Sequence, residues 1–182
     1  MRDAQQRLAD ALRTHAIRTG EFTLASGRTS KWYVDGRLLT FRGDCVHLVG
    51  ESIVEALDVA GVGGYDAVGG LAIGADPVTM AVALVTGVRG FAVRKEAKDH
   101  GVGGRIAGPL EPGDRVLVVD DTITTGGSLL QAVDAVVGYG AEVVAAAALL
   151  DRGGEVGEQL AARGVPFVAV VGAPDLGFAF GS

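Results

Sequence analysis

Two adjacent carboxylates, Asp120 and Asp121, follow directly on the apolar run 116–119. Such a run is typical of a strand buried on both faces, and burying two charges is unfavourable, so we expect the acids where the strand emerges at its carboxyl end. Open α/β sheets bind ligands at that edge. The small hydroxyl and glycine residues 122–128 then lead into a helical pattern. Because backbone amides at a helix N-terminus bind phosphate, the stretch VLVVDDTITTGGS indicates a phosphate site beside two acids.

An ordinary strand-turn-helix connection with a solvated acid pair is the alternative interpretation, since a glycine-rich loop alone is weak evidence. A Walker A loop is excluded because no lysine follows the second glycine. The stretch 66–77 again predicts a strand, a glycine-containing turn and the start of a helix, with Asp76 expected to cap that helix and Pro77 to begin it. This turn could hold another phosphate group, although tight helix-strand packing explains its glycines equally well.

Positive charge is concentrated in one segment of an otherwise acidic chain. The net charge is −6, which disfavours nucleic-acid partners. Residues 89–105 nevertheless contain five of the sixteen lysines and arginines, together with His100. The charged residues are followed by several glycines and few apolar residues that could anchor the chain. We therefore expect a mobile loop that contacts a small anionic ligand. A solvated basic hairpin is the alternative.

The remaining elements are expected to form a single α/β domain over 1–182. Strands and helices alternate, which predicts a mostly parallel sheet of about five strands with helices on both faces. A helix is expected over 3–17, short strands over 21–24 and 31–34, and a tail after 171. Phe22, Trp32 and Tyr33 could form one wall of a site for a flat ligand. Lone Cys45 suggests a cytoplasmic protein, and the apolar run 143–150 is too short to span a membrane.

Three segments resemble the orotate phosphoribosyltransferases of the type I phosphoribosyltransferase family. The sequence TITTGGS after two acids resembles their motif for binding phosphoribosyl pyrophosphate (PRPP). The sequence RKEAKDHGVGG resembles their active-site loop, and LDR at 150–152 resembles the segment that supplies their orotate-binding arginine. The resemblance covers almost the whole chain. It implies transfer of ribose 5-phosphate from PRPP to N1 of orotate in UMP synthesis, the family's fold, and an N-terminal hood formed by residues 1–40.

The resemblance also implies roles for individual residues. Lys98, His100, Asp120 and Asp121 would be catalytic, and Thr124, Arg152, Tyr33 and Val34 would bind orotate. Mg²⁺ would be held mainly by PRPP and water, with no protein metal site. The loop 95–104 would act across a homodimer. PRPP would be bound by Arg94, Lys95, Lys98, His100, Asp120, Asp121, Thr122, Ile123, Thr124, Thr125, Gly126, Gly127 and Ser128.

The chain departs from the family pattern where many bacterial relatives carry lysine, at Ala25 and near Leu71-Ala72. Arg28 or Lys31 could compensate for the missing charge. Two other hypotheses stay open: a purine or uracil phosphoribosyltransferase, which shares the central motif without RKEAKDHG, and a PRPP-sensing regulator without catalysis.

Overall fold

The computed structural model describes residues 3–23, 29–96 and 104–181. Eight strands and six α-helices alternate over most of this part of the chain, as the sequence pattern predicts. The strands are β1 Ile17–Thr23, β2 Thr29–Val34, β3 Ala67–Leu71, β4 Arg89–Val93, β5 Ile106–Ala107, β6 Arg115–Ile123, β7 Glu142–Asp151 and β8 Phe167–Gly172. The helices are α1 Asp3–Ala11, α2 Arg37–Thr40, α3 Val46–Val59, α4 Ala75–Thr86, α5 Gly127–Tyr139 and α6 Val156–Ala161.

The main sheet has six strands in the order β5-β4-β3-β6-β7-β8. All neighbours are parallel except β5, which pairs antiparallel with β4. The expected five strands are therefore one too few, because β5 has only two residues and no apolar run announces it. The chain runs outward from β3 to β4 and then returns to β6 on the other side of β3. The order of strands thus reverses between β3 and β6, which is where ligands bind in such sheets.

Alternation along β6 builds two cores on opposite faces of the sheet. Leu117 and Val119 pack on the face covered by α1, α3 and α4, whereas Val116 and Val118 pack on the face covered by α5 and α6. All four side chains are fully buried. The expectation of a strand buried on both faces is confirmed, and β6 extends through both acids to Ile123.

The N-terminal part of the chain forms a separate two-stranded sheet from β1 and β2. The first helix ends earlier than expected, because a π-helical turn at Leu12–Ala16 leads directly into β1. Burial alternates along β2, so Trp32 is fully buried while Tyr33 is 41% exposed on the other face. Tyr33 instead pairs with Phe22, with 5.7 Å between ring centroids. The three rings therefore do not share one wall, because consecutive strand residues point to opposite faces.

The C-terminal segment is not the tail that the sequence suggested. A 3₁₀ turn at Ala173–Leu176 follows β8, and both of its end residues are buried. Phe178 then stacks on Trp32, with ring centroids 4.3 Å apart and planes inclined by 3°. The segment thus covers the buried face of β2, a long-range contact that no local pattern announces.

Glycines flank helices at two further places. Gly140 ends α5 in the left-handed conformation, with φ 96°. In contrast, α4 begins at Ala75 after Gly74, so Asp76 lies inside the first turn and is not the cap. Within the described ranges, no helix is both long and apolar enough to cross a membrane.

Candidate active site

Two adjoining cavities open at the carboxyl ends of β3 and β6, where the strand order reverses. The leaving-group cavity, as we name the larger one, has a volume of about 250 Å³ and is lined by Arg37, Leu71, Ala72, Ile73, Gly74, Lys95, Asp120, Asp121, Thr122 and Ser128. The smaller loop cavity has a volume of about 160 Å³ and is lined by Asp120, Thr122, Ile123, Thr124, Thr125, Gly126, Gly127 and Ser128. Asp120, Thr122 and Ser128 belong to both, so the two cavities form one continuous crevice.

The acid pair is divided between the faces of β6 by the alternation of the strand. Asp120 lines both cavities, whereas Asp121 lines only the leaving-group cavity. Each carboxylate accepts a hydrogen bond from the next backbone amide: Asp121 N donates to Asp120 Oδ1 at 2.9 Å, and Thr122 N donates to Asp121 Oδ1 at 2.7 Å. These bonds fix both side chains towards the crevice.

The expectation that the acids escape burial is wrong for Asp120, which is only 5% exposed. Burial raises its pKa to about 7, and the neighbouring Asp121 carboxylate adds to the shift. Burial also raises the pKa of Asp121, although the hydrogen bond from Thr122 N opposes the change. The pair is therefore short of full negative charge near neutral pH until cations or hydroxyl donors enter the crevice.

The loop after β6 presents a helix N-terminus to the loop cavity. Gly126 precedes α5 in the left-handed conformation, with φ 80°, which an L side chain rarely adopts. No side chain caps this helix in the described structure. The first backbone amides of α5 therefore lack helical acceptors and can donate to an anion in the loop cavity.

The turn between β2 and α2 packs directly against the acid pair, a contact that no sequence motif predicted. A Cβ at Gly36 would lie 2.5 Å from Asp121 Oδ2 and 2.9 Å from Thr122 Oγ1. Glycine at this position allows the turn to pack against the carboxylate. The next residue, Arg37, lines the leaving-group cavity.

Arg37 is a crevice residue that sequence reasoning missed. Its Nε and Nη2 donate to the two carboxylate oxygens of Asp35 at 2.8 and 2.9 Å. This interaction raises the pKa of Arg37 and lowers that of Asp35. The only available signal was the tripeptide Asp35-Gly36-Arg37 after an aromatic strand, which by itself matches many turns.

Arg152 directly follows the last residue of β7, and it is buried. Only 5% of it is exposed, and its guanidinium carbon lies 4.1 Å from the centroid of the Trp32 ring. Nη2 also donates to Ser30 Oγ at 3.4 Å, and the backbone amide donates to Ile123 O at 2.8 Å. Burial lowers the pKa of this guanidinium. Trp32 thus stands between Arg152 and Phe178 in a three-layer stack.

Arg94 and Lys95, the first two residues of the sequence RKEAKDHGVGG, line different cavities. Lys95 lines the leaving-group cavity. Arg94 lines a different cavity, beside Gly104 and Tyr139, and its Nη1 donates to Ile106 O at 3.4 Å. Lys98 and His100, predicted to be catalytic, lie outside the described residues, as do Ala25 and Arg28. Among the remaining predicted residues, 120–128 are brought together in the crevice, whereas Tyr33, Val34 and Arg152 do not line it.

The crevice offers carboxylate oxygens, which are suitable ligands for Mg²⁺. In the part of the chain that the structure describes, no group of three or more His, Cys, Asp or Glu is arranged to hold a metal. Two carboxylates fit an ion that takes its other ligands from a substrate and from water.

Comparison with known proteins agrees with this geometry. Residues 61–174 match the family model of the phosphoribosyl transferase domain. The orotate phosphoribosyltransferase of Corynebacterium glutamicum is 43% identical over 177 residues, which cover 96% of this chain and 95% of that protein.

Two crystal structures of the orotate phosphoribosyltransferase of Mycobacterium tuberculosis have the same fold. The complex with Fe(III) dicitrate has a TM-score of 0.85 and 39% identity, covering 97% of this chain and 100% of that one. The complex with PRPP has a TM-score of 0.81 and 36% identity over the same shares. The chain therefore belongs to the orotate phosphoribosyltransferase family and has its type I phosphoribosyltransferase fold.

Proposed function

We propose that the protein is a pentosyltransferase that moves the 5-phosphoribosyl group of PRPP to N1 of orotate, yielding orotidine 5′-monophosphate and pyrophosphate for UMP synthesis. One observation carries the assignment of the site. Asp120 lines two adjoining cavities, one beside a helix N-terminus and one beside two cations. A ribose with a phosphate at each end matches this arrangement.

The loop cavity is the proposed site of the 5′-phosphate. The first amides of α5 face an anion there, and the hydroxyls of Thr124, Thr125 and Ser128 add neutral donors. Neutral donors suit this phosphate because it does not leave during the reaction. The glycines Gly126 and Gly127 permit close approach of the backbone.

The acids are proposed to hold the ribose hydroxyls. As the bond from C1′ to pyrophosphate breaks, positive charge develops on the ribose ring and negative charge on the leaving group. Asp120 and Asp121 are already fixed by backbone amides, so they stabilise the positive ring without reorganising. Lys95 would contact the pyrophosphate, and Lys98 and His100 would stabilise its developing charge. Orotate N1 forms the new bond to C1′ as the C1′–O bond breaks and pyrophosphate takes its electron pair, and the N1–H proton passes to the departing pyrophosphate.

Mg²⁺ is the proposed cofactor. When bound, the ion would neutralise charge on the pyrophosphate. Among the described residues, Asp120 and Asp121 are the carboxylates that line the leaving-group cavity and could reach the ion, directly or through water. A bound cation would lower the raised pKa values of both acids, because a nearby positive charge favours the ionised carboxylate.

Orotate is proposed to lie between the end of β7 and the hood, residues 1–40 of the single domain. Arg152 would bind its carboxylate, with Thr124, Tyr33 and Val34 around the base. Support comes from the backbone: the amide of Arg152 donates to Ile123 O, so the arginine is joined to the residue that precedes Thr124. Trp32 supports the guanidinium from behind.

A homodimer is proposed because an apolar surface adjoins the crevice. Five large apolar side chains are between 49% and 60% exposed on α2, directly after α2, on α4 and in the turn before α4. One of them, Ile73, also lines the leaving-group cavity. A second copy seated here would cover the patch and bring its loop 95–104 to the crevice. The set comprises Leu38, Phe41, Ile73, Met80 and Leu84.

The orientation of Arg94 also supports exchange of loops between subunits. Its side chain lies away from the crevice of its own subunit. Arg94 would therefore serve PRPP in the neighbouring subunit. A cytoplasmic location, suggested by lone Cys45, completes the proposal.

A substrate panel tests the reaction. We expect PRPP and Mg²⁺ to cause loss of orotate absorbance, with little conversion of adenine, hypoxanthine or uracil. Preference for another base would favour the purine or uracil alternative. Binding of PRPP without turnover of any base would favour the regulator.

A further inference from the structure

Arg37 lines the leaving-group cavity and does not line the loop cavity. We propose that Arg37 binds the pyrophosphate half of PRPP and so supplies a cation that the turn 71–74 lacks. This inference rests on the proposed assignment of the crevice to PRPP. It identifies a binding residue outside every motif that the sequence singled out.

Positive charge beyond that of Lys95 would favour pyrophosphate in this cavity. Its lining contains the two acids and the turn 71–74, whose residues Leu, Ala, Ile and Gly carry no side-chain charge. Pyrophosphate is strongly anionic, and its approach to two carboxylates is repulsive unless positive charge intervenes. Among the described residues of this lining, Arg37 and Lys95 are the cations.

The guanidinium of Arg37 is preorganised for this contact. Asp35 accepts bonds from Nε and Nη2 on one edge of the fork, and Asp35 Oδ1 also accepts from Arg37 N at 3.1 Å. Neither side-chain bond uses Nη1. A planar guanidinium held on one edge can offer its other edge to phosphate oxygens with little further loss of side-chain entropy.

The position of Arg37 distinguishes the two phosphate groups of PRPP. Arg37 lines the leaving-group cavity and is absent from the lining of the loop cavity. Inorganic pyrophosphate should therefore depend on Arg37, whereas ribose 5-phosphate, held by the loop after β6, should not.

Arg42 provides a matched control on the same short segment. It bonds Asp44 through Nε and Nη2 at 2.9 and 2.6 Å, which repeats the pairing of Arg37 with an acid two residues away. Both side chains are about half exposed. Arg42 does not line either cavity. Arg42→Gln thus removes the same charge and the same kind of ion pair without touching the crevice.

The test measures binding by calorimetry in Mg²⁺ buffer for the wild type, Arg37→Gln, Arg37→Lys and Arg42→Gln. We expect Arg37→Gln to weaken the binding of inorganic pyrophosphate and of PRPP by tenfold or more, and the binding of ribose 5-phosphate by less than twofold. Arg37→Lys should recover part of the loss, because it keeps the charge but not the fork. Arg42→Gln should bind all three probes as the wild type does.

Three results would overturn the inference: pyrophosphate binding within twofold of the wild type in Arg37→Gln, an equal loss for ribose 5-phosphate, or the same loss in Arg42→Gln. The double variant Asp120→Asn/Asp121→Asn separates this failure from failure of the site assignment. Undiminished PRPP binding by the double variant would refute the crevice itself. If the double variant loses PRPP while Arg37→Gln retains it, only the role of Arg37 is refuted.

Discussion

Replacing Gly36 by alanine should lower kcat by about 10- to 100-fold with little change in stability. Gly36 has φ −57° and ψ −28°, which alanine adopts without strain. The new Cβ would lie 2.5 Å from Asp121 Oδ2, whereas ordinary contact begins at 3.4 Å. The carboxylate must therefore retreat by about 0.9 Å, and a misplacement of about 1 Å in an active site can reduce the rate by about 100-fold.

The stability of this variant is expected to stay nearly constant because two small effects oppose each other. Alanine reduces the entropy of the unfolded chain, which stabilises the protein by about 0.4–1 kcal/mol. Moving Asp121 weakens the bond from Thr122 N, which is worth about 0.5–1.5 kcal/mol. Gly43→Ala is the matched control, because no atom lies within 4 Å of its Cβ position. It should share the gain in stability and keep full activity.

Both variants should be assayed by loss of orotate absorbance with orotate and PRPP saturating, and by urea unfolding without substrate. A kcat of Gly36→Ala within twofold of Gly43→Ala would refute the reasoning. So would a loss of several kcal/mol in stability, since misfolding and not displacement of Asp121 would then explain the lower rate.

Three further perturbations test other parts of the site. Arg152→Ala should raise KM for orotate by about 10- to 150-fold, the equivalent of losing one charge-assisted bond of about 1.5–3 kcal/mol; a change confined to KM for PRPP would contradict the assignment. The pKa of Asp120 is about 7 in the folded protein but about 3.9 in an unfolded chain, so the folded state retains a proton that the unfolded state releases, and stability should fall as pH rises from about 4 to 7. Urea unfolding without substrate should show that Asp120→Asn lacks this fall in stability. Parallel pH profiles of stability for the variant and the wild type would count against this role of Asp120. Finally, Lys98→Ala and Asp121→Asn, each inactive alone, should recover part of the activity when mixed under proven subunit exchange; no recovery would mean that the loop serves its own subunit.

Local pattern predicted the centre of the molecule well. The run 116–119, the acids and the glycine loop have the expected order because each is a property of neighbouring residues: alternating burial, charge at a strand end and a left-handed glycine before a helix. The burial of Asp120 was not predictable in the same way. It depends on neighbours such as the turn that contains Gly74, whose Cβ position would lie 3.7 Å from Asp120 Oδ1, and this is a contact between distant parts of the chain.

Arg37 and the C-terminal segment escaped prediction for the same reason. Asp35-Gly36-Arg37 is an ordinary turn until the fold brings it beside Asp121. Phe178 belongs to a predicted tail until the fold stacks it on Trp32. In each case the residue's role depends on a tertiary neighbour, about which spacing along the sequence holds no information.

The stack of Arg152, Trp32 and Phe178 also makes the protein its own optical probe. Trp32 is the sole tryptophan of the chain, so intrinsic indole fluorescence originates at one point. That point has a cation on one face and the C-terminal segment on the other. A change in emission on titration with orotate would therefore report on the environment of Arg152 without any label, and a change on heating would report when Phe178 leaves the ring.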